Sequence, residues 1–248
     1  MRKLFILFLL LISLPVSAKQ YSPTPYNIKF DIPDNYYVIT YDTNDKALFQ
    51  KLNIDVAKLK QLMLNKHILM VCIDPKNDIE IDIIAYTDEN SRIVGDFTNG
   101  KISDKMLLRP EISKAAQQEM QLEKQQLNIE NINATKYLVV NGNIQYPNHY
   151  GFVRTYVTIK NGMNIGINGI SYTPREQIMF SDISRIVNNI DYSQAETYTA
   201  TTTSNVTQNN NSFNKHNPFY KFLVWGILGG LAGAIRYLYE WFKNRKNK

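Results

Sequence analysis

A chain of 248 residues has room for one ordinary domain with appendages or for two small ones, and its formal net charge of +6 raises the question of nucleic acid. Two of the 28 Lys and Arg residues are Arg2 and Lys3, and six lie from Lys221 onward, whereas of the 22 acidic residues only Glu240 lies at either end. The middle therefore carries 20 basic against 21 acidic side chains, which argues against a nucleic-acid surface and makes the basic excess a topology signal.

Residues 1–18 read as a signal peptide. Arg2 and Lys3 precede an apolar run, residues 4–12, too short to span a bilayer; Pro15 breaks it, and Val16-Ser17-Ala18 offers a small-residue cleavage site. An exported globular domain is expected over residues 19–192. It holds the one cysteine, Cys72, so it has no internal disulfide and depends on its core; Cys72, in an apolar run, is expected as a buried small hydrophobe.

The domain's elements alternate between two periods. Residues 27–32 alternate as a strand, Pro33-Asp34-Asn35 turns into a second strand at 36–41, and the two together suggest an opening hairpin. Asp45 can cap a helix through Leu48 and Leu52, and residues 55–65 place Val56, Leu59, Leu62 and Met63 on one helical face. Residues 67–73 are an apolar run ended by Asp74-Pro75, and 79–86 alternate, with Ile79, Ile81 and Ile83 opposite Glu80 and Asp82. The longest helix is predicted from Pro110, with Ile112, Ala116, Met120 and Leu127 as its stripe. Strands follow at 135–141, 150–160 and 163–172, with Asn161-Gly162 the strongest hairpin signal in the chain. A last helix opens on the capping-box pattern Thr173-Pro174-Arg175-Glu176 and buries Ile178, Ile183, Ile186, Val187 and Ile190. The sum is an α+β domain, an antiparallel sheet flanked by helices.

Residues 193–217 are dominated by Ser, Thr, Asn and Gln and are expected as a disordered polar linker. Residues 218–242 are predicted to be a single transmembrane helix. Its uninterrupted apolar stretch, 222–235, is short, but Lys221 and Arg236 can snorkel, and Phe219, Tyr220, Tyr237, Tyr239, Trp241 and Phe242 supply aromatic belts. The basic tail 243–248 belongs in the cytoplasm by the positive-inside rule, leaving the domain outside the cell membrane. Gly226, Gly229, Gly230 and Gly233 fit two small-xxx-small patterns and so offer a face for self-association.

The order of the domain's elements, opened by Phe30-Asp31-Ile32-Pro33-Asp34-Asn35-Tyr36, resembles the PsbP-like fold over about residues 26–192. The resemblance implies an α/β/α sandwich that acts as an accessory or binding module. No functional residue carries over with it.

Candidate chemistry is sparse. Asp74, Asp78, Glu80 and Asp82 could suggest a cation site, but an oxygen cage needs six or more ligands, and a solvated strand face is the expectation. His67, His149 and His216 lack ligand spacing, no G-x-S-x-G occurs, and a Cys72–His149 pair is a remote option. Gly166 and Gly169 lie inside a strand, where a bulge or close backbone approach explains them. The sixteen tyrosines cluster at Tyr21, Tyr26, Tyr36, Tyr37 and Tyr41 and again at Tyr146, Tyr150, Tyr156 and Tyr172, where they either fill strands or form a contact surface. No catalytic residue, cofactor or metal ligand is assigned. The expected role is a membrane-tethered binding or accessory module with a protein partner outside the cytoplasm. The alternatives are a hydrolase whose site forms only in three dimensions and a structural subunit of a membrane complex.

Overall fold

The structure is a computed structural model, and it describes residues 17–99, 102–120, 122–146 and 149–199. The predicted signal peptide up to residue 16, the linker beyond 199, the span and the tail lie outside these residues. Among the described residues no helix is long and apolar enough to cross a membrane.

Nine strands and six helices are described: β1 (Ala18–Tyr21), β2 (Phe30–Pro33), β3 (Tyr37–Thr40), α1 (Lys46–Leu52), α2 (Val56–Lys66), β4 (Ile68–Asp74), β5 (Ile79–Tyr86), α3 (Glu89–Val94), α4 (Asp104–Leu107), α5 (Pro110–Met120), β6 (Glu123–Ile132), β7 (Thr135–Tyr146), β8 (His149–Lys160), β9 (Met163–Ser171) and α6 (Glu176–Asn188). Strands β3 to β9 form one antiparallel sheet in the order β3-β4-β5-β9-β8-β7-β6, and β1 pairs with β2 in a separate ribbon. This is the mixed α+β architecture expected.

Both faces of the central strands are covered. On one, Val71, Ile84, Val140, Val157 and Ile170 pack with Phe49 and Leu52 of α1, Leu59 and Met63 of α2, and Val94, Phe97 and Leu107. On the other, Ile79, Ile81, Ile83, Ile165 and Ile167 pack with Phe30 and Ile32 of β2 and with Met179, Ile183, Ile186 and Val187 of α6. Every residue of β5 and β9 is consequently buried.

Local signals explain several boundaries. The carboxylates of Asp45 and Asp55 accept the Leu48 and Lys58 amides and so cap α1 and α2. Asn161 and Gly162, at φ 54° and 73°, make the turn between β8 and β9. Gly169 lets α6 approach: a Cβ built there would lie 2.7 Å from the Met179 sulfur. No bulge interrupts β9 on either side.

Other expectations fail. The opening strands are not a hairpin: the turn forms, with the Tyr36 amide donating to the Pro33 carbonyl, but β2 then pairs with β1 and β3 with β4. The helix from Pro110 ends at Met120 instead of reaching Leu127, and the longest helix among the described residues is α6. Residues 123–132 form β6, because Leu127 and Ile129 fit a two-residue period as well as a helical one, and Asn133-Ala134, both left-handed at φ 48° and 58°, closes a hairpin with β7. The capping box at Thr173 does not form. Arg175 is the N-cap without a side-chain bond, and the Thr173 hydroxyl instead donates to the Asn77 carbonyl, tying the helix start to the β4–β5 turn.

The first residues of the predicted linker, 193–199, are docked on the domain. Through Thr199 the chain is described, and Ala195 and Tyr198 pack against the second-face core. The Tyr198 amide donates to the Asn161 carbonyl at 2.8 Å, and the Tyr198 ring meets Tyr26 edge-on at 6.2 Å. We call residues 192–199 the strap.

Candidate functional site

A groove of about 430 Å³ opens where the ribbon meets the β3 side of the sheet. Four segments build it: the loop from Tyr21 to Tyr26 after β1, residues 40–42 after β3, the end of α2 from Met63 to His67, and Ile68 and Leu69 of β4 with Ala85 of β5. The volume is in the range of small-molecule sites. Its floor is apolar, because Met63, Ile68 and Ala85 are buried core residues, and its rim is aromatic and polar.

The rim residues are placed by ordinary folding. Thr40 ends β3, so Tyr41 emerges beyond the sheet and stays 46 % exposed, with the Lys60 ammonium 5.5 Å from its ring centre. His67 is the C-cap of α2 in a left-handed conformation, φ 55°, with its amide donating to the Leu64 and Met63 carbonyls. That turn lays its imidazole on Tyr86, ring centres 4.9 Å apart and planes at 24°. Tyr21 and Tyr26 come from the loop, Tyr26 braced by Tyr198. Partial burial raises the phenol pKa of both Tyr21 and Tyr26. Leu64, 55 % exposed, adds an apolar edge.

The groove thus gathers Tyr21, Tyr26 and Tyr41 from the first tyrosine cluster and excludes the other two. Tyr36 is buried and donates to Asp182 at 2.9 Å, and Tyr37 accepts from Lys51. In the second cluster Tyr156 and Tyr172 are core residues, while Tyr150 is exposed. The expectation that tyrosines fill strands holds for Tyr156 and Tyr172 and fails for Tyr150 and for the loop after β1.

The acidic set separates into three roles. Asp74 is structural: it accepts from the Lys76 and Asn77 amides and from the Asn35 and Asn77 side chains, closing the β4–β5 turn. Asp78, at φ 53°, shapes the same turn. Glu80 and Asp82 correct the expectation of a solvated strand face, because both have no exposure at all. β5 is a central strand, and the face that looked polar in sequence is buried, its Ile84 and Tyr86 belonging to the same core cluster as Phe97 and the apolar residues of α1 and α2. Tyr172 donates to one Glu80 oxygen at 3.1 Å. The other Glu80 oxygen and both Asp82 oxygens lack a geometrically sound hydrogen bond. Burial and the neighbouring carboxylate push Glu80 well above the usual range, and burial pushes Asp82 up to about 7.

Cys72 is buried as expected, and burial raises its thiol pKa. His67 is the histidine with a described side chain, and it enters the groove. The side chain of His149 and all of His216 lie outside the described residues. Among the described residues no three His, Cys, Asp or Glu side chains converge as metal ligands.

No family model matches the chain, and no curated protein matches it. Among solved structures it is similar to the solution structure of the cyanobacterial PsbP, CyanoP, from Synechocystis sp. PCC 6803, at 10% identity and a TM-score of 0.44, over 72% of this chain and 94% of that one. It is also similar to a crystal structure of a protein from Bacteroides thetaiotaomicron, at 8% identity and a TM-score of 0.41, over 71% of this chain and 48% of that one. The PsbP-like resemblance is weak and concerns part of the chain.

Proposed function

We propose that this chain is a membrane-tethered recognition module displayed outside the cell membrane, and that it binds its partner through the tyrosine groove. One observation carries the reading. Three amphipathic rings and an exposed imidazole from three separate segments converge on one concavity with an apolar floor. Tyrosine gives large contact area at low entropic cost, with a hydroxyl for orientation, which is why it is enriched where proteins are recognised.

The groups with shifted pKa values are compatible with a binding groove. The shifted groups that line the groove, Tyr21 and Tyr26, are phenols moved upward, away from the range useful for acid–base work at neutral pH. The shifted carboxyls, Glu80 and Asp82, are sealed in the core. The tether is the reading of the two chain ends: a signal peptide that exports the domain, and a glycine-rich span whose basic tail stays inside.

The test uses the full chain in intact cells with a tag at each end of the mature protein. Protease added outside should remove the domain tag and spare the C-terminal tag. Protection of both tags would place the domain in the cytoplasm and end the proposal.

A further inference from the structure

Glu80 and Asp82 take no part in the groove. They sit two residues apart on β5 and therefore on one face, without exposure. Asn168 of β9 lies directly across from Asp82 and is equally buried. Its Oδ1 accepts from the Thr155 hydroxyl of β8 at 2.8 Å, which turns its Nδ2, itself without a well-formed partner, back toward β5. Besides each other, the groups acting on the pair are this amide and the Tyr172 hydroxyl; Cys72, across from Ile81, belongs to the opposite face of the sheet. The cover on this face includes Leu52, Leu59 and Leu107 from helices and Phe97 from the segment after α3, all apolar.

Two bare carboxylates cannot both remain ionised there. Each would forfeit several kcal/mol of hydration, and like charges in one buried site drive one group to keep its proton. We propose that Glu80 and Asp82 form a buried proton-binding site that makes the tightness of the domain depend on the pH of the compartment it faces. Glu80 holds the proton and donates it in a hydrogen bond to Asp82; Asp82, steadied by Asn168, is the group that ionises first as the pH rises. This inference is independent of the groove.

The sign follows from linkage. Both carboxyls have folded-state values above their unfolded ones, so their contribution is fully present below the ordinary carboxylate range, near about pH 4, and is lost as pH rises toward neutrality. Across that window each affected group raises the unfolding constant by up to about tenfold per pH unit.

Thermal unfolding of the full chain in detergent micelles, between about pH 5 and about pH 8, tests the site on the wild type, Asp82→Asn and Glu80→Gln. The wild-type midpoint should fall as the pH rises, and Asp82→Asn should flatten that fall. A flat wild-type profile, or a variant that keeps the wild-type slope, overturns the proposal. Should Asp82→Asn fail to fold, Glu80→Gln, which also leaves one ionisable carboxyl, gives the same reading. Wild-type hydrogen exchange settles it independently: β5 and β9 amides should gain openings with pH beyond the intrinsic exchange increase, and unchanged opening contradicts the site. A calcium chloride arm separates the rival occupant. Calcium that restores the midpoint at the higher pH would mean an ionised pair holding a cation, and would overturn proton binding.

Discussion

Single atoms decide how closely α6 can lie on the sheet. At Gly169 an added Cβ would stand 2.7 Å from the Met179 sulfur and 3.1 Å from the Ile183 Cδ1, whereas at Gly166 its nearest neighbour is the Ile84 Cβ at an ordinary 3.8 Å. Overpacking a tight core costs about 1–3 kcal/mol. Gly169→Ala should therefore lower the thermal midpoint by several degrees, while Gly166→Ala stays near the wild type; equal losses at both sites would refute this packing account. Tyr41 is the opposite case. Its ring is nearly half exposed, so Tyr41→Ala should change stability by less than about 0.5 kcal/mol. A large fall in midpoint would mean that the ring belongs to the core and is not free to receive a ligand.

At the scale of elements, the meander and the first two helices were legible because their signals are local: Asp45 and Asp55 before apolar periodicity, and Asn161-Gly162 between alternating runs. The misreadings arose where local signals were ambiguous or long-range pairing decided. Residues 123–132 carry helix-favouring Glu, Lys and Gln, yet pairing with β7 made them a strand. The alternation of β5 suggested one wet face, because alternation cannot reveal a helical layer laid over that face. The groove was half visible: the tyrosines at 21, 26 and 41 stood out, but the place of His67 depends on where α2 ends against β4. The strap was hidden by its composition, since a polar sequence read as a stalk still docks when Tyr198 finds Tyr26 and the Asn161 carbonyl. A Cβ on Gly162 would lie 2.0 Å from the Tyr198 carbonyl oxygen, at a φ of +73°. Gly162→Ala should accordingly displace the strap, seen as faster hydrogen exchange at the Tyr198 amide; unaltered protection would show that the strap is held elsewhere. Ile183, fully buried in α6, should cost about 2–5 kcal/mol when cut to Ala, read in denaturant unfolding. A loss under about 1 kcal/mol would mean that α6 is not a principal cover of the sheet.

For the whole molecule, the proposal joins a nearly neutral α+β domain to a basic-tailed span through a polar segment that begins beyond the strap. The strap keeps the last described residues beside Tyr26, one wall of the groove, next to the proposed recognition surface. The most direct measurement places a photo-crosslinking amino acid at position 41 in the full chain in intact cells, with position 108, exposed but outside the groove, as control. A discrete adduct from position 41 alone, degraded by protease added outside the cells, is the predicted result. Equal labelling from both positions, no adduct from 41, or an adduct protected from external protease would contradict a recognition groove displayed outside the membrane.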